Sequence, residues 1–178
     1  ALLALEEYTQ THDGRSARPG HRWWSNASLP FDIIIASDDA RFSDPVVAFG
    51  VNGVEYFGHP WEVGVRKAKE MLFTGEALTA EECKTLGMVN HVVSREELKD
   101  FTMKMAKHIA RQPMLGLKLA KQSVNQMQDA QGLWPSLQAA MSLQHMGHAH
   151  ERLIHQSAVE PEGGAKIKNQ AKKKESNK

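Results

Sequence analysis

Hydrophobic residues fall in short bursts through the first half of the chain and at helical spacing through the second. Asp32-Ile-Ile-Ile-Ala36 is a continuous, mostly β-branched run between Pro30 and Ser37-Asp38-Asp39. Such a run predicts a strand covered on both faces, with a turn at the two aspartates. A paired-carboxylate acid/base site is the alternative for Asp38 and Asp39, but neighbours on a strand point to opposite faces. Ala40-Arg41-Phe42 follows as a second extended piece, and Met88–Val93 is a further strand candidate. Near the start, Leu2, Leu3, Leu5 and Tyr8 suit a short helix, Thr11–Gly20 reads as loop, and Trp23-Trp24 as a packing anchor.

Residues 61–73 predict one helix, with Trp61, Val65, Ala68 and Leu72 along a stripe, ended by Thr74-Gly75. Thr79-Ala-Glu-Glu82 has the form of a capping box opening a short helix that stops at Gly87. Ser94-Arg-Glu-Glu97 is a second box, opening a helix to about Arg111. After Pro113, residues 114–130 place Leu117, Ala120, Val124 and Met127 in helical register. Gly132 breaks this helix, and residues 135–155 form another, carrying Leu137, Met141 and Met146. The expected organisation is a poorly defined segment 1–30, an α/β core 31–111, a helical region 112–156 and a tail 157–178.

Composition narrows the function classes. Hydrophobic residues make up 41% of the 178-residue chain and charged residues 24%, ordinary values for a globular domain. The formal net charge is +1, but the tail from Ser157 carries +3, from six lysines and three glutamates, and the rest −2. No nucleic-acid partner is therefore expected of the core, and the basic tail is expected to be a disordered end. No run approaches the length of a membrane span, so no membrane partner is expected. The beginning, Ala1–Glu7, lacks the basic and apolar regions of a signal peptide. A single cysteine, Cys83, excludes an intrachain disulfide and suits a reducing, cytoplasmic location.

His145, His148, His150 and His155 raise the question of a metal, with two of them seven residues apart on one helix face. A zinc site needs three or four converging ligands with outer support, and Glu151 is the one acidic residue among them. Solvated or interface histidines are the preferred reading, and no metal is expected. Asp44–Gly58 is rich in glycine but lacks the glycine-lysine pair of a phosphate-binding loop.

The ordered series Asp32–Ser37, Ala40–Phe42, Asp44–Gly50, Lys67–Gly75 and Ala80–Val93 resembles the middle of a crotonase-family (enoyl-CoA hydratase/isomerase) domain. Gly53-Val-Glu-Tyr-Phe57 and His59-Pro-Trp-Glu62 match a subset of that family. The resemblance implies an α/β spiral of strand-strand-helix units followed by a helical trimerisation region. It implies an acyl-CoA thioester as substrate, no metal or redox cofactor, and assembly as a trimer or hexamer. Two backbone N–H groups would stabilise an enolate, with carboxylates moving protons.

The chain departs from that pattern at two places. The segments that usually supply the oxyanion donors precede the match to Asp32. Here His12-Asp-Gly14 is at most a remnant, and Asn26-Ala-Ser-Leu-Pro30 runs directly into Phe31, as though about twenty residues were missing. Hydratases of the family carry a glutamate after the proline matching Pro45, where this chain has Val46. In dienoyl-CoA isomerases and dehalogenases an acid lies on this loop about one position earlier than Glu55. Glu55, between Val54 and Tyr56, is therefore the candidate acid/base, with a solvated or arginine-paired glutamate as the bland alternative. Val46, Phe49, Gly53, Val54 and Phe57 are the candidate lining of an acyl pocket. Lys118 and Lys121 are candidates for CoA phosphates, or simply a solvated face. The functional expectation is an enoyl-CoA hydratase or isomerase. Its competitors are a catalytically inactive family member that oligomerises or binds partners, and a helical adaptor using the basic tail.

Overall fold

The computed structural model describes residues 3–5, 30–53 and 57–176, with backbone alone at 3–5 and 170–176. It is a mixed α/β fold of small open sheets followed by long helices. β1 (Leu3–Leu5), β2 (Ile33–Ser37) and β5 (His91–Val93) form a parallel sheet with β2 in the middle. Ile34, Ile35 and Ala36 of β2 are buried, as expected of an apolar strand covered on both faces. Asp38-Asp39 is the predicted turn, and the Arg95 guanidinium ties Asp39 back with a 2.6 Å contact. The Ser37 hydroxyl and then Arg95 hold the Asp39 carboxyl below the usual range. The short helix expected from Leu2 to Tyr8 is overturned at Leu3–Leu5, where the backbone pairs with Ile33–Ile35 as a strand. Thr11–Gly20, His12-Asp-Gly14 and Trp23-Trp24 lie outside the described residues.

β3 (Arg41–Phe42) pairs antiparallel with β4 (Leu78–Thr79), and a 3-10 turn covers Val46–Phe49. The single helix expected over 61–73 is two: α1 (His59–Val63) and α2 (Val65–Thr74). Gly64 separates them at φ 78°, ψ 155°, a conformation that breaks the helical ladder and that a side chain would resist. Val65 is consequently turned outward, while Ala68, Met71 and Leu72 of α2 are buried. The Thr79 box is formed in full: its hydroxyl accepts from the Glu82 N–H at 3.1 Å, and Glu82 Oε2 accepts from the Thr79 N–H at 2.7 Å. It opens α3 (Ala80–Leu86), which stops at Gly87. Ser94 and Glu97 also bond to each other, through the Ser94 hydroxyl and Glu97 carboxylate at 2.8 Å. That bond closes a turn, and α4 (Leu98–Ala110) begins only after it.

The core joins Ile34, Ala36, Phe42, Val63, Ala68, Met71, Leu78, Ala80, Cys83, Met88 and Val89 around β2 and α2–α3. α5 (Met114–Ala130) and α6 (Leu133–His155) are the two long helices expected, but their apolar stripes do not face this core. α5 buries no residue, and Val124, Met127, Met141 and Met146 are all exposed. The tail also differs from the disordered end expected. α7 runs from Gly163 to Ser176, with Ile167 buried and Gly163 against the Ala48 carbonyl and the Phe49 ring. A Cβ on Gly163 would lie 2.6 Å from both, so glycine is what lets α7 start there.

Candidate functional site

The segment of interest runs from Asp44 to His59 and includes the 3-10 turn and Gly50–Gly53. Glu55, Val54 and Tyr56 themselves lie outside the described residues. The segment's two ends meet: His59 Nε2 is 3.0 Å from Asp44 Oδ2, with both side chains almost fully buried. The Phe57 ring packs edge-on against His59, with centroids 5.3 Å apart.

α6 supplies the other wall. Ala140, Gln144, Gly147 and Glu151, spaced four, three and four residues apart, form one stripe that docks on Gly50–Gly53. Asn52 donates its side-chain amide to the Ala140 carbonyl at 3.2 Å. The Gln144 carboxamide oxygen accepts from the N–H groups of Asn52 and Gly53, at 3.2 and 3.0 Å. A Cβ on Gly147 would lie 2.9 Å from the Gly50 carbonyl oxygen, so a glycine is needed for this approach. Glu151 is 6% exposed, and its carboxylate lies against Gly50.

The remaining sequence candidates take separate places. Val46 and Phe49 are half-buried in the 3-10 turn, and the Phe49 carbonyl accepts from the Glu160 N–H at 2.9 Å. Gly53 is buried by its bond to Gln144. Lys118 is exposed, while Lys121 forms a 2.8 Å ion pair with Asp32. Of the four histidines, His155 alone joins a group with metal-ligating spacing among the described residues. Its ring faces Glu151 and Glu160, and the three ligand atoms lie within 4.8 Å of one another. The Lys166 ammonium stands 3.6 Å from the same Glu160 oxygen. His148 instead bonds Gln144 and the Ala158 carbonyl. Glu62 has its carboxyl pushed above the usual range by burial, against the pull of nearby His59.

Gln144, Glu151 and the Asp44–His59 pair are the polar groups that sequence reading did not single out for this segment. Position along the chain gave little signal for them. A glutamine and a glutamate on an amphipathic helix read as solvent-facing, and Asp44 lies fifteen residues before His59.

The profile of the enoyl-CoA hydratase/isomerase family matches residues 26–160. The chain belongs to this family. EchA13 of Mycobacterium tuberculosis, which bears an enoyl-CoA hydratase name, is 45% identical over 120 residues, covering 67% of this chain and 38% of its own length. The methylmalonyl-CoA decarboxylase of Escherichia coli is 36% identical over 101 residues, covering 56% of this chain and 39% of that protein. Among solved structures, a probable enoyl-CoA hydratase from Mycobacterium smegmatis superposes with a TM-score of 0.72 and 50% identity. That alignment covers 74% of this chain and 54% of the other. The crotonase family expected from the ordered signatures is thus the family found. The chain spans about 38–39% of the length of these two curated relatives.

Proposed function

We propose that this chain is part of an enzyme that hydrates or isomerises an acyl-CoA thioester through an enolate. The observation that carries the reading is the family match across residues 26–160, which includes the whole segment between Asp44 and His59. In this reading Glu55 is the acid/base. Val46, Phe49, Gly53, Val54 and Phe57 line the acyl chain, and Lys118 and Lys121 lie toward the CoA phosphates. Backbone N–H groups take the developing negative charge on the thioester oxygen, where preformed donors act most strongly. Glu55 then moves the proton at the neighbouring carbon, which demands a carboxyl whose pKa its surroundings raise toward neutrality.

The second part of the proposal is assembly. Leu115, Leu119 and Val124 of α5 are 55–69% exposed, a surface that suits burial against further copies. A trimer, or a pair of trimers, is the assembly proposed, in a reducing compartment such as the cytoplasm.

The deciding assay follows crotonyl-CoA hydration by loss of the enone absorbance. The wild type is expected to turn over, and Glu55→Gln to lose about a hundredfold or more in kcat. An active wild type that Glu55→Gln leaves unchanged removes Glu55 as the acid/base. A protein inert toward short, long and branched enoyl-CoA thioesters favours a non-catalytic family member, a reading that Val46 supports.

A further inference from the structure

We propose that Gln144 is a positioning residue for Asn52–Gly53, the stretch that leads in sequence to Glu55, and that His148 sets which way its carboxamide points. The inference rests on the reading of Glu55 as the acid/base and adds the device that fixes the backbone two residues before it.

Gln144 is 8% exposed, and its side chain spends its oxygen on two successive backbone N–H groups, those of Asn52 and Gly53. Gly53 stands two residues before Glu55. Two adjacent N–H groups can be met only by an acceptor, so the carboxamide oxygen faces the loop and its NH2 faces away. The NH2 reaches His148 Nε2 at 3.0 Å. That nitrogen must then accept, which places the ring proton on Nδ1, 2.5 Å from the Ala158 carbonyl oxygen. Each group in the line has one consistent assignment: Ala158 carbonyl, His148 Nδ1–H, His148 Nε2, Gln144 NH2, Gln144 oxygen, loop N–H groups. Were the carboxamide turned over, an NH2 would face two N–H groups and the loop would lose both bonds. Ala158 lies in the connection between α6 and α7, so the line ties that connection to the loop through α6. The Asn52 side chain, bonded to the Ala140 carbonyl one turn earlier on α6, adds a second tie to the same stretch.

A positioning role predicts a loss in kcat rather than in substrate binding, because a misplaced proton-transfer group slows chemistry more than it weakens the complex. The test uses the protein with Gln144→Leu and Gln144→Glu. Leucine removes the acceptor; glutamate keeps an oxygen for both N–H groups. Hydrogen–deuterium exchange of the peptide spanning residues 48–57 reads whether the loop is held. Crotonyl-CoA hydration reads the consequence. Gln144→Leu is expected to speed exchange in that peptide while leaving the β2 and α3 peptides protected. It is expected to lower kcat about tenfold or more, with KM changing less than about twofold. Gln144→Glu is expected to restore most of both.

Unchanged exchange in Gln144→Leu overturns the inference. Faster exchange with unchanged kcat overturns the positioning role in catalysis. If the wild type proves inert toward enoyl-CoA, the reading of Glu55 fails by itself, and the exchange comparison still decides whether Gln144 holds the loop. The 15N shifts of neutral His148 are expected to report a proton on Nδ1; a proton on Nε2 instead overturns the part assigned to His148.

Discussion

His59 Nε2 lies 3.0 Å from Asp44 Oδ2, with 3% and 4% of the two side chains exposed, and the contact joins positions fifteen apart in the chain. Everything proposed to line the acyl pocket falls between these two positions. The contact is close without being an aligned hydrogen bond, and His59 Nδ1 has no partner among the described residues. Asp44→Ala leaves a buried imidazole without its counterpart and removes a long contact to the Val46 N–H. It is expected to cost about 1–3 kcal/mol, the penalty for stranding a buried polar group. Urea unfolding at pH 7 measures this. A midpoint within error of the wild type would mean that the pair does not hold the segment closed. Asp44→Asn, which keeps an acceptor near His59, is expected to lose less.

Glu62, one turn along from His59, predicts a pH effect of known sign. Burial raises its carboxyl pKa in the folded state above the ordinary value of 4.5, and His59 only partly opposes the shift. Between the unfolded and folded values the native protein therefore holds the proton more firmly than the unfolded chain. Stability from this group is present at low pH and is lost as pH rises through the folded value. Glu62→Gln removes the titration. The variant is expected to have a higher Tm than the wild type at pH 7, with the gap closing near pH 4. Scanning calorimetry at the two pH values checks this, and a gap that widens toward pH 4 contradicts it.

The Thr79–Glu82 box predicts a smaller effect on α3. Glu82 is held below the usual carboxylate range, chiefly by the Thr79 N–H and then by the Thr79 side chain. Its contribution is present above the ordinary value of 4.5 and is lost as pH falls through the lowered one. Thr79→Ala is expected to cost about 1 kcal/mol, the usual loss for an N-cap, and Thr79→Ser much less. Equal destabilisation by the two variants would point to the threonine methyl group rather than the hydroxyl.

These elements show what the sequence makes legible. β2 could be read because a burst such as Ile33-Ile-Ile35 has few environments other than a covered strand, and β2 is central in its sheet. The Thr79 box could be read because its chemistry is local: hydroxyl, glutamate and backbone lie within four residues. The single helix expected over 61–73 failed at Gly64, since a glycine within a helical stripe costs too little to show that it will break the helix. The tail was misread for a related reason. Its lysines suggest solvation, yet Ile167 is buried and Gly163 lets α7 start against the 3-10 turn.

The candidate segment was legible only as a run of family-like residues. Its supports come from α6, ninety residues on, and are polar or small where pattern reading looks for large apolar side chains. Ala140, Gln144, Gly147 and Glu151 make no hydrophobic stripe, whereas the more conspicuous Met141 and Met146 are exposed.

That outward face yields a prediction about assembly. Leu119 and Val124 are 59% and 55% exposed on α5, a helix that buries none of its residues in the chain itself. Leu119→Asp combined with Val124→Asp is expected to convert the proposed trimer to monomers by sedimentation velocity, with helix content unchanged by circular dichroism. Two charges on a face that is solvated in the monomer cost little, whereas burying them unpaired at an interface costs several kcal/mol, on the order needed to undo it. Identical sedimentation of variant and wild type would remove α5 from the interface.

Val46 offers the most direct test of the altered chemistry. The resemblance implies a glutamate at this position in the family's hydratases, and valine can neither give nor take a proton. The side chain is half-buried at the first position of the 3-10 turn, directly after Pro45. A glutamate there extends from the same backbone into the segment proposed to line the acyl pocket. If hydration is limited by the lack of a second proton-transfer group, Val46→Glu is expected to raise kcat for crotonyl-CoA by about a hundredfold, the lower range for general acid–base catalysis. Val46→Gln has nearly the same shape but cannot exchange a proton at neutral pH, so it is expected to give no gain. Equal rates for the two variants, with both folded and binding CoA as the wild type does, would show that the missing carboxylate is not what limits hydration. A gain confined to glutamate would identify Val46 as the substitution that moved this chain away from hydratase chemistry.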